Sequence, residues 1–231
     1  RERDRAGPRT SMMNRRETAR DRSAAVLLAT FSLATSVLLN AGVLCSNDGS
    51  QYALTRAFVD DGSAVIDDYI AYTFEMDYAR MGDHSYSDRP PGVAFLASPF
   101  YVFARAIGLD DVGRQTVVTL LASFAGALSV VLLFYLARRL GAMRFGAMAA
   151  ALTLALATPH RSYAAALFSH AISSALVIGV AHLVLPGTWA DAGRRRAAQL
   201  VAGLLGGYAC GVDYTNGLPI VVLCVTGAVL E

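Results

Sequence analysis

The sequence predicts an all-α protein: a polytopic transmembrane helical bundle of about six spans, with a large extracytoplasmic first loop carrying juxtamembrane helices. Three observations predict it. Of the 231 residues, 55% are hydrophobic and only 16% charged, whereas a soluble domain carries about 25% charge. The charges are also segregated. Between Gln115 and Leu230 the charged residues are Arg138, Arg139, Arg144, Arg161, Asp191, Arg194, Arg195, Arg196 and Asp213 alone, and uncharged runs of this length mark membrane spans. Finally, those runs lack the polar stripe of helical period that a soluble bundle would show.

Each element follows in chain order. Residues 1–23 hold eight arginines and four acids and form a basic cytoplasmic tail; residues 24–231 form one transmembrane domain whose extracytoplasmic loop covers 46–114. Ala24 to Cys45 is an uncharged run long enough to cross about 30 Å of hydrocarbon. It is longer than a signal-peptide core. Residues 46–90 carry nine acids against three arginines, so the arginine bias of the preceding tail places the N-terminus inside and this loop outside. Pro91 to Gly108 is apolar but interrupted by Arg105 and weakened by Pro90, Pro91 and Pro99. If it crossed, the arginines after the clean run Gln115–Ala137 would fall outside, so it is expected to lie in the outer interface. The remaining spans are then Phe145 to about Thr158, Ser162–Leu185, Ala197 to about Val212, and Leu218–Leu230, with Pro186–Arg196 cytoplasmic and a break at Asp213–Gly217. The chain opens on Arg1, with Met12-Met13 ahead of more arginines, and stops at Glu231 after an apolar run. The expected start is therefore near Met12, and the bundle is expected to continue beyond Glu231.

Some function classes drop out. A net charge of +2, with every basic residue an arginine, gives no nucleic-acid footprint. Cys45, Cys210 and Cys224 lie in or beside apolar runs and provide neither a disulfide framework nor metal-ligand spacing.

The loop is where chemistry is expected. Asp48 follows the first span closely and precedes an amphipathic helix, Gly49–Asp61, that Gly62 should stop. Its plain reading is the helix N-cap. At the other end stands Tyr86-Ser87-Asp88-Arg89-Pro90-Pro91-Gly92. The prolines hold Arg89 in extended geometry and present its guanidinium from a rigid stem, suited to an anion such as phosphate. The plain reading is pairing with Asp88 or with lipid headgroups. Weaker candidates are His84 in the loop, His160 and Arg161 at a span boundary, His170 and His182 within a span, and Asp213 at the last break.

Asp48-x-x-x-Tyr52-Ala after the first span, and Tyr86-x-x-Arg89-Pro-Pro about forty residues on, together resemble the N-terminal part of the C-type membrane glycosyltransferases. Among these, the protein O-mannosyltransferases and lipid A aminoarabinose transferases are closest in pattern. The resemblance covers roughly residues 24–230. It implies an inverting transfer of a sugar from a polyprenyl-phosphate donor to an acceptor lipid, glycan or protein on the extracytoplasmic face. Asp48 would be the general base and Arg89 would hold the departing lipid phosphate, with Tyr52 and Tyr86 lining the sugar or phosphate pocket. Apart from the resemblance, Asp88 beside Arg89 and Asp213 at the last break are further substrate-binding candidates. No cofactor is firmly implied. Many relatives carry a second acid directly after the aspartate, in a role compatible with a divalent metal, and that place here is Gly49. The basic residue before Pro-Pro is often lysine in the family. Two rivals remain: a secondary transporter, which would use the broken helices with His170 and Asp213, and a non-catalytic membrane assembly subunit.

Overall fold

A computed structural model describes residues 8–185 and 192–229. The expected cytoplasmic turn Pro186–Arg196 falls partly outside these, as do the first seven and last two residues. The chain is 77% helix and 4% strand, so the all-α expectation holds, with one short hairpin added.

The helices are α1 (Pro8–Leu38), α2 (Ser46–Arg56), α3 (Gly92–Ala106), α4 (Asp111–Arg139), α5 (Arg144–Leu156), α6 (His160–Tyr163), α7 (Ser169–Val184), α8 (Ala192–Val212) and α9 (Gly217–Val229). α4 is the central post, with α1, α3, α5 and α7 packed on it and α8 against α7. Among the described residues two helical stretches are long and apolar enough to cross a membrane: Glu17–Leu38, 22 residues, and Asp111–Arg139, 29 residues. Gly92–Ala106, Arg144–Leu156, Ser169–Val184 and Tyr214–Val229 are apolar but shorter.

The bundle has two chemically distinct ends. At one, Arg138 and Arg144 both bind Asp21 of α1, at 2.9 and 2.7 Å. Arg139 donates to the carbonyls of His182 and Leu185, both at 2.6 Å, closing the C-terminal end of α7. At the other end lie the loop, the start of α4 and the end of α8. Both ends of α3 belong there. Its first residue meets Gly211 and Val212 of α8, and Arg105 in its last turn binds Asp60 of the loop at 2.8 Å. Both ends of α3 thus contact this end, while its middle packs on α4, Phe100 against Phe124.

Small residues let the helices approach. Ala24, Ala25 and Leu28 of α1 pack with Val130, Phe134, Ala147, Ala151 and Ala155. A second core lies directly beneath the loop, where Tyr52, Val93, Ala97, Tyr101, Val118, Leu167, Ile172 and Val212 meet.

Two expectations need correction. The loop helix begins at Ser46 rather than Gly49, and Cys45 is its N-cap. It then widens into a π-turn, Ala57–Asp61, before Gly62 stops it in the left-handed conformation. Beyond it a 3₁₀ segment, Asp67–Thr73, leads into the antiparallel hairpin β1 (Tyr78–Met81) and β2 (His84–Ser87). Lastly, Ser162–Leu185 is not one span. The chain breaks between α6 and α7, where Ser123 donates to the Ala164 carbonyl at 2.8 Å, giving that group a partner outside the helix.

Candidate functional site

The loop is assembled from residues that are far apart in sequence. The hairpin turns at Gly82, which takes φ +62°. Antiparallel pairing sets Tyr78 opposite Ser87 and so brings the residues flanking the hairpin, Asp77 and Asp88–Arg89, to one end. Arg89 is gripped there by Asp77 at 2.8 Å and Asp88 at 3.2 Å. Its expected pairing with Asp88 is present, and Asp77 is a partner that the sequence did not suggest. Tyr86 is half-buried in β2 opposite Ala79 and bridges to Val65.

The hairpin is then tied to α2. The Ser50 and Ser87 hydroxyls lie 2.7 Å apart although 37 residues separate them, and Ser87 also accepts the Arg89 N–H at 3.1 Å. The Asp48 and Arg89 ends of the loop thus share one hydrogen-bonded junction.

Asp48 occupies the third position of α2. Its two oxygens accept the backbone N–H groups of Leu44 and Cys45 at 2.9 and 2.8 Å, which is the acid's half of a capping box rather than the N-cap itself. The side chain has no solvent exposure. The next residue, Gly49, has no room for a side chain, because a Cβ there would lie 1.8 Å from the Tyr72 carbonyl oxygen. The second acid found in many glycosyltransferases of the resembled family cannot fit at this position. Among the described residues no three metal-ligating side chains come together.

Tyr52 does not line an open pocket. It is fully buried, edge-on to Tyr72 and Tyr101 with ring centroids 5.0 and 6.0 Å away, and it donates to Asp111 at 3.2 Å. Burial, followed by the Asp111 charge, pushes its phenol well above the ordinary value. The same network holds residues that sequence reasoning left aside. Arg56 lies over the Tyr69 ring at 4.8 Å and donates to Tyr72 and Asp111 at 2.5 and 3.1 Å. Asp60 accepts from Tyr101 and Arg105 at 2.7 and 2.8 Å and faces Arg56 at 3.4 Å. The i, i+4 spacing of Arg56 and Asp60 was a usable signal; the tyrosines around them were not. Asp60 is therefore a structural anchor and not part of a solvated acidic surface.

Asp213 begins the 3₁₀ turn Tyr214–Asn216, and the helix break brings His170 beside it, at the start of α7 rather than within a span. Their side chains approach to 3.8 Å. His84 pairs instead with Asp67 at 2.8 Å. His160 and His182 face the carbonyls of Gly126 and Leu132 at 3.3 and 2.8 Å, which leaves both as interhelical contacts.

The two motif ends and the Asp213 turn adjoin one another. Tyr208 of α8 donates to the Gly92 carbonyl at 2.6 Å, and a Cβ on Gly92 would lie 2.5 Å from the Gly211 oxygen. The Pro90-Pro91-Gly92 stem therefore abuts the residues that lead into Asp213. Comparison of the chain with protein-family models, curated proteins and solved structures gives no match.

Proposed function

We propose that the chain is part of an integral membrane glycosyltransferase that moves a sugar from a polyprenyl phosphate to an acceptor hydroxyl on the extracytoplasmic face. The observation that carries this reading is the junction Ser50–Ser87–Arg89, which joins the carboxylate motif and the basic-Pro-Pro motif at one end of the bundle. In the transfer, the acceptor oxygen bonds to the anomeric carbon as that carbon's bond to the phosphate oxygen breaks. The hydroxyl proton passes to Asp48, and the polyprenyl phosphate leaves with the bonding electron pair. Asp48 has to exchange its backbone N–H partners for the acceptor hydroxyl, so this assignment requires the Leu44–Cys45 segment to yield when substrate enters. Arg89 carries five N–H donors; those beyond its two carboxylate contacts are available to the phosphate, where charge develops.

The topology belongs to the same proposal: six spans, N-terminus cytoplasmic, loop outside. It is supported by the gathering of Arg138, Arg139 and Arg144 at the end away from the loop and by the contacts of both ends of α3 with the loop end. Exposed Leu27, Phe31, Phe103, Phe124, Leu200 and Leu204 give the bundle a lipid-compatible exterior.

The test is transfer from radiolabelled polyprenyl-phosphate sugars by membranes holding the full-length protein. Arg89→Ala should lower transfer by about 10²-fold or more, and Asp48→Asn by about 10²–10⁴-fold. Full transfer by Asp48→Asn would remove Asp48 as the base. Substrate uptake into proteoliposomes with no dependence on a lipid-linked sugar would favour a transporter instead.

A further inference from the structure

We propose that His170 and Asp213 form a hydroxyl-recognition subsite that takes the sugar of the lipid-linked donor. This rests on the glycosyl-transfer reading and adds the part of the site that reads the sugar.

The pair is built rather than incidental. Asp213 Oδ1 accepts the Thr215 N–H at 3.0 Å and the Thr215 hydroxyl at 2.7 Å, while Oδ2 accepts the Ser169 hydroxyl at 3.1 Å. The carboxylate is thereby fixed with Oδ2 facing His170 Nδ1. The Ser169 hydroxyl that donates to Oδ2 also lies 3.4 Å from His170 Nδ1, so Ser169 links the ring to the carboxylate. Tyr163 pins the ring edge-on, 4.4 Å between centroids, and Phe168 stands 6.1 Å away. Capping of the turn accounts for Asp213, but it does not account for a histidine that remains 47% exposed beside it.

The chemistry on offer suits a polyol. Hydroxyl, carboxylate and imidazole groups supply both donors and acceptors, and the two aromatic rings form a wall. Position selects the donor sugar among polyols. Its anomeric carbon is bonded to the phosphate, so the ring has to lie against whatever adjoins Arg89. What adjoins the Arg89 stem is the α8 end at Gly211–Val212, immediately before Asp213.

The experiment uses the full chain in nanodiscs, with diethyl pyrocarbonate modification of His170 followed by peptide mass spectrometry. The probes are short-chain polyprenyl phosphates bearing a hexose, an N-acetylhexosamine or a pentose, and the same lipid phosphate without sugar. His170 should react in the free protein. One sugar-bearing lipid should slow that reaction at least about fivefold, and the bare lipid phosphate should not. Asp213→Asn, and His170→Asn as the variant at a half-exposed position, should weaken binding of that sugar-lipid about tenfold, the worth of one to two hydrogen bonds, with bare-lipid binding unchanged. An unreactive His170 overturns the proposal. So does a bound sugar-lipid that leaves His170 unprotected, or a His170→Asn chain that still prefers the sugar-lipid as strongly as wild type. Those results leave the transferase reading standing. Failure of every sugar-lipid to bind the wild-type chain removes both.

Discussion

Gly49 and Gly92 each sit where another backbone occupies the space that a side chain would need. At Gly49 the obstacle is the Tyr72 carbonyl and at Gly92 it is Gly211, both backbone groups that cannot rotate aside. Gly49→Ala should therefore cost about 1–3 kcal/mol or more, read as a lowered midpoint of thermal unfolding in detergent. Gly62→Ala, with nothing near its Cβ but a φ of +63°, should cost only about 1 kcal/mol from backbone strain. Asp67 makes a pH-dependent contribution. Its carboxyl is held below the ordinary value by the hydrogen bond from His84, and then by the Ser85 N–H. A carboxyl lowered in the folded state adds stability above the unfolded value of about 3.9, and that contribution is lost as pH falls through the lower folded value. Protease cleavage within the hairpin should accelerate below about pH 3.9, and Asp67→Asn should flatten that dependence. Asp48 was legible as a chemically placed residue, because an acid just past an apolar run stands out. Its enclosure by Leu44 and Cys45 was not, since nothing in a sequence shows that the chain before a helix folds back over its third residue.

At the level of elements, propensity located most helices and tertiary contacts trimmed them. The segment Ala164–Leu167 favours helix by composition, yet the chain breaks there. Ala164 packs on Gly126, where even a methyl group would lie 2.5 Å from its Cβ, and Ser123 takes its carbonyl. The docking of α1 depends on one acid, with Asp21 receiving both Arg138 and Arg144. Asp21→Ala should weaken the bundle by about 1–3 kcal/mol, measured by unfolding in mixed micelles, and Asp21→Asn should recover part of that. The tyrosine cluster centred on Arg56 is compact in contact but scattered in sequence: Tyr52, Tyr69, Tyr72, Tyr101, Asp60 and Asp111 come from five elements. Only the loop's folding against α3 and α4 unites them.

For the whole molecule, the two ends differ in charge, and this predicts which surfaces face which compartment. In a chain whose three cysteines are replaced by alanine, Asp83→Cys in the hairpin turn should react with a membrane-impermeant maleimide from outside the cell. Met143→Cys, at an 81% exposed position between α4 and α5, should react only after permeabilisation. The reverse pattern would invert the proposed topology.

The sequence by itself determined the helical class: long apolar runs separated by sparse arginines are of helical length, and with them came an acidic loop bounded by Asp48 and Arg89. Only the tertiary structure decided what the loop's groups touch. Hydrogen bonds such as Ser50–Ser87 and close approaches such as Gly92–Gly211 join residues distant in the chain, and periodicity carries information about one element at a time. The acidic loop thus reads from sequence as a charge pattern and from structure as a junction, with Asp48 sealed beneath it and the stem after Arg89 meeting, at Gly92, the α8 residues that lead into Asp213.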